Sequence, residues 1–176
     1  VDNAAGSADA VQHLIDTGRR RIAFVGPQDP ELNAIDRLEG YRSVLERSGL
    51  GVDEQLIVEA APSRGGGGQM LARLLEHGSD AVHAATDALA VAVIAELERR
   101  GRGVPDDVAV VGFDGFDNGA DGVVPLSTVV QPVEAGGSAA VRLLLDDVAN
   151  DAGAPRRSVV PTALRIGASS APRLRE

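Results

Sequence analysis

The chain has 176 residues, enough for one sizeable core, and its 44% hydrophobic and 24% charged residues are those of an ordinary folded protein. Its net charge is −9, every positive side chain is arginine, and neither cysteine nor tryptophan occurs. A disulfide framework, thiol nucleophiles, Schiff-base chemistry and a phosphate-loop lysine are thereby excluded, and the acidity disfavours a broad nucleic-acid surface. Phe24, Phe113, Phe116 and Tyr41 are the whole aromatic set. The core is therefore expected to be aliphatic, with few rings to stack on a base. No apolar run approaches the roughly 20 residues of a membrane span, and the N-terminus does not read as a signal peptide, so a cytoplasmic protein with no membrane partner is expected.

In chain order, residues 4–17 read as a helix with Ala4, Ala8, Val11 and Ile15 on one face and Gly18 ending it. Residues 21–26 (RIAFVG) form a nearly continuous apolar run, the mark of a buried parallel strand. A loop with Pro27 and Pro30 leads to a helix over 34–48, predicted to bury Ile35, Leu38, Tyr41 and Leu45. A strand at 56–60 follows. Ser63 is placed as N-cap of a helix through His77 that buries Met70, Leu71, Leu74 and Leu75. The next strand covers 80–85, and Thr86 or Asp87 caps a helix with Ala90, Val93, Ile94 and Leu97 inward. Residues 108–113 (VAVVGF) form the clearest strand. This alternation predicts an α/β fold, a doubly wound parallel sheet in which the four strands lie parallel with helices on both faces.

After Gly112 the rhythm breaks. A Gly/Asp-rich loop over 114–125 precedes a short strand at 127–130 and a helix over 133–150, with Ala140, Leu144 and Val148 predicted inward. Val159 and 164–166 are strand-like, and the tail from Ser169 reads as frayed. The abrupt start, running at once into a helix, reads as a fragment.

Ligands of open parallel sheets bind beyond the carboxyl ends of the strands. Asn33 and Arg37, then Thr86 and Asp87, then Asp114 occupy those places. An arginine fork and a carboxylate suit vicinal hydroxyls, since Asp accepts two O–H bonds and Arg donates to ring or hydroxyl oxygens. The plainer alternatives are a capping role for Asp87 and a solvated role for Arg37. Sharper motifs fail. Gly65–Gly68 lacks the flanking residues of a phosphate cradle and reads as an exposed first turn. Asp114 and Asp117 are spaced for neither an aspartyl phosphatase nor a calcium loop. His13, His77 and His83 lack metal-ligand spacing and read as structural. No hydrolase elbow occurs. Arg19-Arg20-Arg21 and the cluster from Arg99 to Arg102 follow helix ends, where arginine favours the dipole, and read as solvated. Neither a catalytic residue, a metal site nor a cofactor is expected.

The landmarks VDNxxG, HLxxxGxRRIAFVG, RLEGYRxxL, DAVxAxxD, GxxVPDDVAVVGFD and PLSTVVQPxxxxG occur in the order and with the spacing of LacI/GalR regulators, and the chain resembles that family from residue 1 to about 172. The resemblance implies a type I periplasmic-binding-protein-like fold, mainly its C-terminal subdomain. Residues 1–130 would be that subdomain, 131–160 a helix-strand segment of the N-terminal subdomain, and 161–176 the returning strand and tail. It further implies a small-molecule effector, usually a sugar or nucleobase, and operator DNA contacted only through an N-terminal helix-turn-helix outside this sequence. By the same resemblance the chain forms a homodimer through Val91, Ala92 and the loop Gly115–Val123. Arg37 matches the family's effector-binding arginine and Asp114 its ligand-binding carboxylate. Asn33 and Gln131 fall where polar contacts approach the effector, and Thr86 stands where the family usually has Asn. Pro62 stands where many members place a ring against the sugar. A transport protein of the same fold is the alternative, and it would carry a secretion signal upstream.

Overall fold

The computed structural model describes residues 1–28, 32–60, 67–116, 124–150 and 156–171, with backbone only at 67–70 and 149–150. Helix α1 (Asn3–Asp16) leads into strand β1 (Ile22–Pro27), helix α2 (Leu32–Arg47) and strand β2 (Ile57–Ala60). Helix α3 (Gly67–Glu76), strand β3 (Ala81–Ala84), helix α4 (Asp87–Arg99) and strand β4 (Ala109–Asp114) complete the regular alternation. Strand β5 (Ser127–Val130), helix α5 (Val133–Asn150) and strand β6 (Ala163–Arg165) follow. The sheet order is β2-β1-β3-β4-β5-β6. All pairings are parallel except β5 with β6, which is antiparallel.

The expected parallel order of the first four strands is therefore observed, and β5 extends it. Apolar residues alternate between two core layers, as a doubly wound sheet requires. Ala23, Val25, Val82 and Val110 pack with Leu71, Leu74, Val93, Ile94 and Leu97 of α3 and α4. Ile22, Phe24, Val111 and Phe113 pack with Val11, Leu14, Tyr41 and Val44 of α1 and α2. Strand β1 stands between β2 and β3, so the chain runs outward to one side of it and returns on the other. That reversal opens a crevice at the carboxyl ends of β1 and β3.

Several expectations need correction. The buried stripe of α1 is Asn3, Gly6, Ser7, Ala10, Val11 and Leu14, rotated from the predicted one; Ala8 and Ile15 are only partly buried. The reason is that small and polar residues line the contact with α2. Gly40 of α2 lies so close that an added Cβ would collide with the carbonyl oxygen of Ala4 and approach the Ser7 Cβ to 2.9 Å. On α2 itself Ile35 is exposed, whereas Arg37, Gly40 and Val44 join Tyr41 and Leu45 in the interior. Helix α5 exposes Leu144 and Val148 at 63% and 77%, against the prediction, because no described element covers that side. Val159 belongs to no strand.

The expected fraying of the tail is overturned at Ser169 and Ser170, while residues 172–176 lie outside the described part. Ser169 Oγ donates to the Val110 carbonyl at 2.6 Å and accepts the Ser127 amide, while Ser170 Oγ donates to Ser127 Oγ at 2.6 Å. Both serines are buried, and His13 Nε2 lies 2.7 Å from Ser170 Oγ, so the histidine clips the tail to α1. Arg19 likewise reaches the carbonyls of Asp80 and Pro105, and Arg21 pairs with Asp53. Arg99 and Arg100 both hold Glu96. Pro30, Pro62, Ser63, Gly65, Gly66, Asp117 and the loop segment 117–123 lie outside the described residues, as does the Met70 side chain.

Candidate functional site

Strand ends and the first turns of helices deliver the polar side chains to the crevice. Pro27 ends β1, Arg37 and Asn33 project from α2, Thr86 follows β3, Asp114 ends β4 and Gln131 follows β5. With Ala34, these residues line one cavity of about 350 Å³. All five candidate ligand residues, Asn33, Arg37, Thr86, Asp114 and Gln131, are thus brought together. The size is that of a small-molecule site.

Arg37 is only 5% exposed. Its guanidinium lies 3.7 Å from the Phe113 ring centroid, a cation–π contact between α2 and β4. Nε donates to Asn3 Oδ1 at 3.0 Å, and Nη1 donates to the Ala85 carbonyl and, at 3.3 Å, to Asp114 Oδ1. Burial pushes the guanidinium pKa down from its ordinary value, with Asp114 opposing the shift. A buried cation is tolerable only with such partners. Among the described residues Nη2 engages no acceptor.

Asp114 is held from two sides, by Arg37 and by Gln131, whose Nε2 donates to the same Oδ1 at 2.8 Å. An ionised carboxylate has about four lone-pair positions, so capacity remains for O–H donors. Its backbone is unusual, with φ at +126°, a region that side-chain-bearing residues rarely occupy. Thr86 is the N-cap of α4, its hydroxyl accepting the Leu89 amide at 3.2 Å. The capping role expected for Thr86 or Asp87 falls to Thr86, while its position still faces the cavity.

Two residues near the site were not among the five. Asn3, at the start of α1, joins Arg37 to Asn33 by accepting from the former and donating to the latter at 3.2 Å. The signal was present in VDNxxG, which places a polar residue at the head of the first helix. Asp87 is 1% exposed and accepts from the Gly115 amide (3.0 Å), the Phe116 amide (2.8 Å) and the Thr128 hydroxyl (2.6 Å). Burial raises its carboxyl pKa, against the lowering effect of these donors. His83 is fully buried between Ser7 Oγ (2.8 Å) and the Val111 carbonyl (3.4 Å), as its structural reading required. Among the described residues no cluster of metal-ligating side chains occurs, and no helix is long and apolar enough to cross a membrane.

Residues 11–170 match the family model described as a periplasmic binding protein-like domain. The chain is 38% identical over 169 residues to the HTH-type transcriptional regulator CelR of Thermobifida fusca, covering 94% of this chain and 49% of the relative. It is 36% identical over 148 residues to the ribose operon repressor of Escherichia coli, covering 82% and 44% respectively. Among solved structures it superposes on a CelR–cellobiose complex with a TM-score of 0.85 at 36% identity, covering 96% of this chain and 52% of that one. A LacI family transcriptional regulator from Enterococcus faecium with bound ribose gives a TM-score of 0.85 at 30% identity, covering 97% and 64%. The chain spans about half the length of the curated relatives it matches.

Proposed function

Since the chain belongs to the LacI/GalR family of transcription regulators, we propose that it is the effector-sensing region of such a regulator, with a sugar bound at Arg37 and Asp114. The observation that carries this reading is their convergence at the strand-order reversal, a buried arginine fork and an ionisable carboxylate 3.3 Å apart on one cavity. A sugar presents adjacent O–H groups that donate to Asp114 and accept from Arg37 Nη2. Gln131 and Asn33 add amide groups of either polarity. Thr86 contributes a single hydroxyl partly engaged in capping, which tunes the hydroxyl pattern rather than anchoring it.

The cavity described by these residues belongs to one half of a cleft. Residues 131–160 are assigned to a second subdomain, a reading supported by the exposed apolar side of α5: Val141, Leu144, Leu145 and Val148 are 55–77% exposed. A homodimer built through Val91 and Ala92 of α4 belongs to the same proposal; both residues are half-buried, and the loop residues 117–123 lie outside the described part. Operator DNA is then contacted by a helix-turn-helix elsewhere in a cytoplasmic regulator. The deciding experiment is a thermal-shift screen of sugars and nucleosides on the intact protein, followed by calorimetry. A neutral sugar that binds with one-to-one stoichiometry, and no longer binds the Asp114→Ala variant at the same concentration, is the expected result. Binding that survives both Asp114→Ala and Arg37→Ala places the effector elsewhere.

A further inference from the structure

We infer that Asp87 is a positioning residue for this cavity: by anchoring the turn after β4 it holds Asp114 in its left-handed backbone conformation and so sets where that carboxylate stands beside Arg37. Asp114 has φ at +126° and Gly115 at +87°, two successive residues on the side of conformational space that an L side chain avoids. Such a turn persists only when its surroundings over-determine it. Asp87 supplies that constraint. One of its carboxylate oxygens receives the amides of both Gly115 and Phe116, and the other receives the Thr128 hydroxyl, which itself also accepts the Gly115 amide at 3.2 Å. Gly112, beside it on β4, leaves room for this carboxylate, since an added Cβ there would collide with Asp87 Oδ1. The turn is thereby tied to α4 and to β5 at once, just before Gln131 reaches back to Asp114 through both its side chain and its backbone amide (3.3 Å). Among the described residues Asp87 hydrogen-bonds to none that lines the cavity; it acts on the site through this turn, and its charge is also felt by Arg37 and Asp114.

That Asp114 meets a sugar rests on the reading above; that Asp87 places Asp114 does not. The test is amide hydrogen exchange and side-chain NMR on the intact protein, in wild type, Asp87→Asn and Asp87→Ala. In Asp87→Ala the Gly115 and Phe116 amides are expected to exchange at least 10-fold faster relative to the amides of β1 and β3. The Gln131 side-chain amide and Arg37 Nε–H resonances should shift at the same time. Asp87→Asn, which keeps one acceptor oxygen, should show the same localisation with smaller amplitude, and it decides the matter if the alanine variant does not fold. Uniform acceleration across the sheet, or Gln131 and Arg37 resonances that stay in place, would reduce Asp87 to a core-stabilising residue and overturn the proposal. Sugar binding does not enter this readout, so the two readings stand or fall separately.

Discussion

Arg37 is gripped at Nε and Nη1 by Asn3, Ala85 and Asp114 and sits over the Phe113 ring, so its planar fork, rather than its charge alone, is what the interior accommodates. A lysine offers neither the fork nor the stacking surface. Arg37→Lys should therefore bind effector almost as poorly as Arg37→Ala. Each of Arg37→Ala and Asp114→Ala should weaken binding by about 1.5–3 kcal/mol, the worth of a charge-assisted hydrogen bond. Calorimetry with a sugar found by screening checks this, and a loss below about 0.3 kcal/mol for either variant removes that residue from the site. His83 carries a second prediction. At 2.6 Å the Ser7 hydroxyl donates to the Arg37 carbonyl, which leaves its oxygen to accept from His83 Nε2–H. Burial pushes the histidine pKa down from 6.5 to about 4, despite the Val111 carbonyl, with nearby Arg37 acting in the same direction as burial. A depressed histidine keeps its contribution above the unfolded-state value and loses it as the pH falls toward the folded one. Urea unfolding should accordingly lose roughly 2–3 kcal/mol of this histidine's contribution between pH 6.5 and 4.5, and His83→Gln should flatten that part of the profile.

At the scale of elements, the crossing of α1 and α2 decides whether Asn3 and Ser7 reach Arg37 at all. Gly40 permits it, because any side chain there meets the backbone of Ala4. Gly40→Ala should destabilise the protein by about 1–3 kcal/mol, the usual effect of overpacking, and weaken effector binding with it. Gly137→Ala is the control, since nothing lies within 4 Å of its added Cβ; relief of backbone entropy in α5 should leave the protein unchanged or more stable by about 0.5–1 kcal/mol. Chemical denaturation of the two variants separates close packing from helix propensity. The same crossing explains what could be read beforehand. The strands were legible because buried parallel strands are near-continuous apolar runs, as at Ile22–Val25 and Val108–Val111. The face of α1 was not, because its buried stripe includes Asn3, Gly6 and Ser7, residues that hydropathy assigns to solvent. Ser169 and Ser170 misled for the same reason: their polarity is satisfied inside the fold. Of the site, strand-end logic reached Arg37 and Asp114, and family resemblance added the matched role of Gln131. Asp87 was named at a strand end, but its grip on the turn after β4 was hidden because an acidic residue in a helix's first turn already has a sufficient local explanation.

For the whole molecule the decisive quantity is charge. The 26 acidic residues outnumber the 17 arginines, and several arginines are engaged within the fold: Arg37 in the cavity, Arg19 on the carbonyls of Asp80 and Pro105, and Arg99 and Arg100 on Glu96. A protein that binds DNA non-specifically does so by neutralising phosphates with exposed basic groups, and its affinity falls steeply with salt. Here the long-range field is repulsive to a polyanion. Sequence-selective reading needs, in addition, an element that enters the major groove with base-contacting side chains. The helices α1, α2 and α4 bury their contact faces against the sheet or each other, and α5 presents an apolar side rather than a basic one. These 176 residues by themselves should therefore show no sequence-selective DNA binding at about 150 mM salt, even when saturated with effector. In the proposed regulator, control then acts through a conformational equilibrium that the effector biases, transmitted to a reading head outside this region. Fluorescence anisotropy of this chain against genomic fragments, with and without sugar, is the measurement. Selective binding of micromolar affinity or tighter would mean that a DNA-reading surface lies within the chain, and the separation of sensing from reading would have to be abandoned.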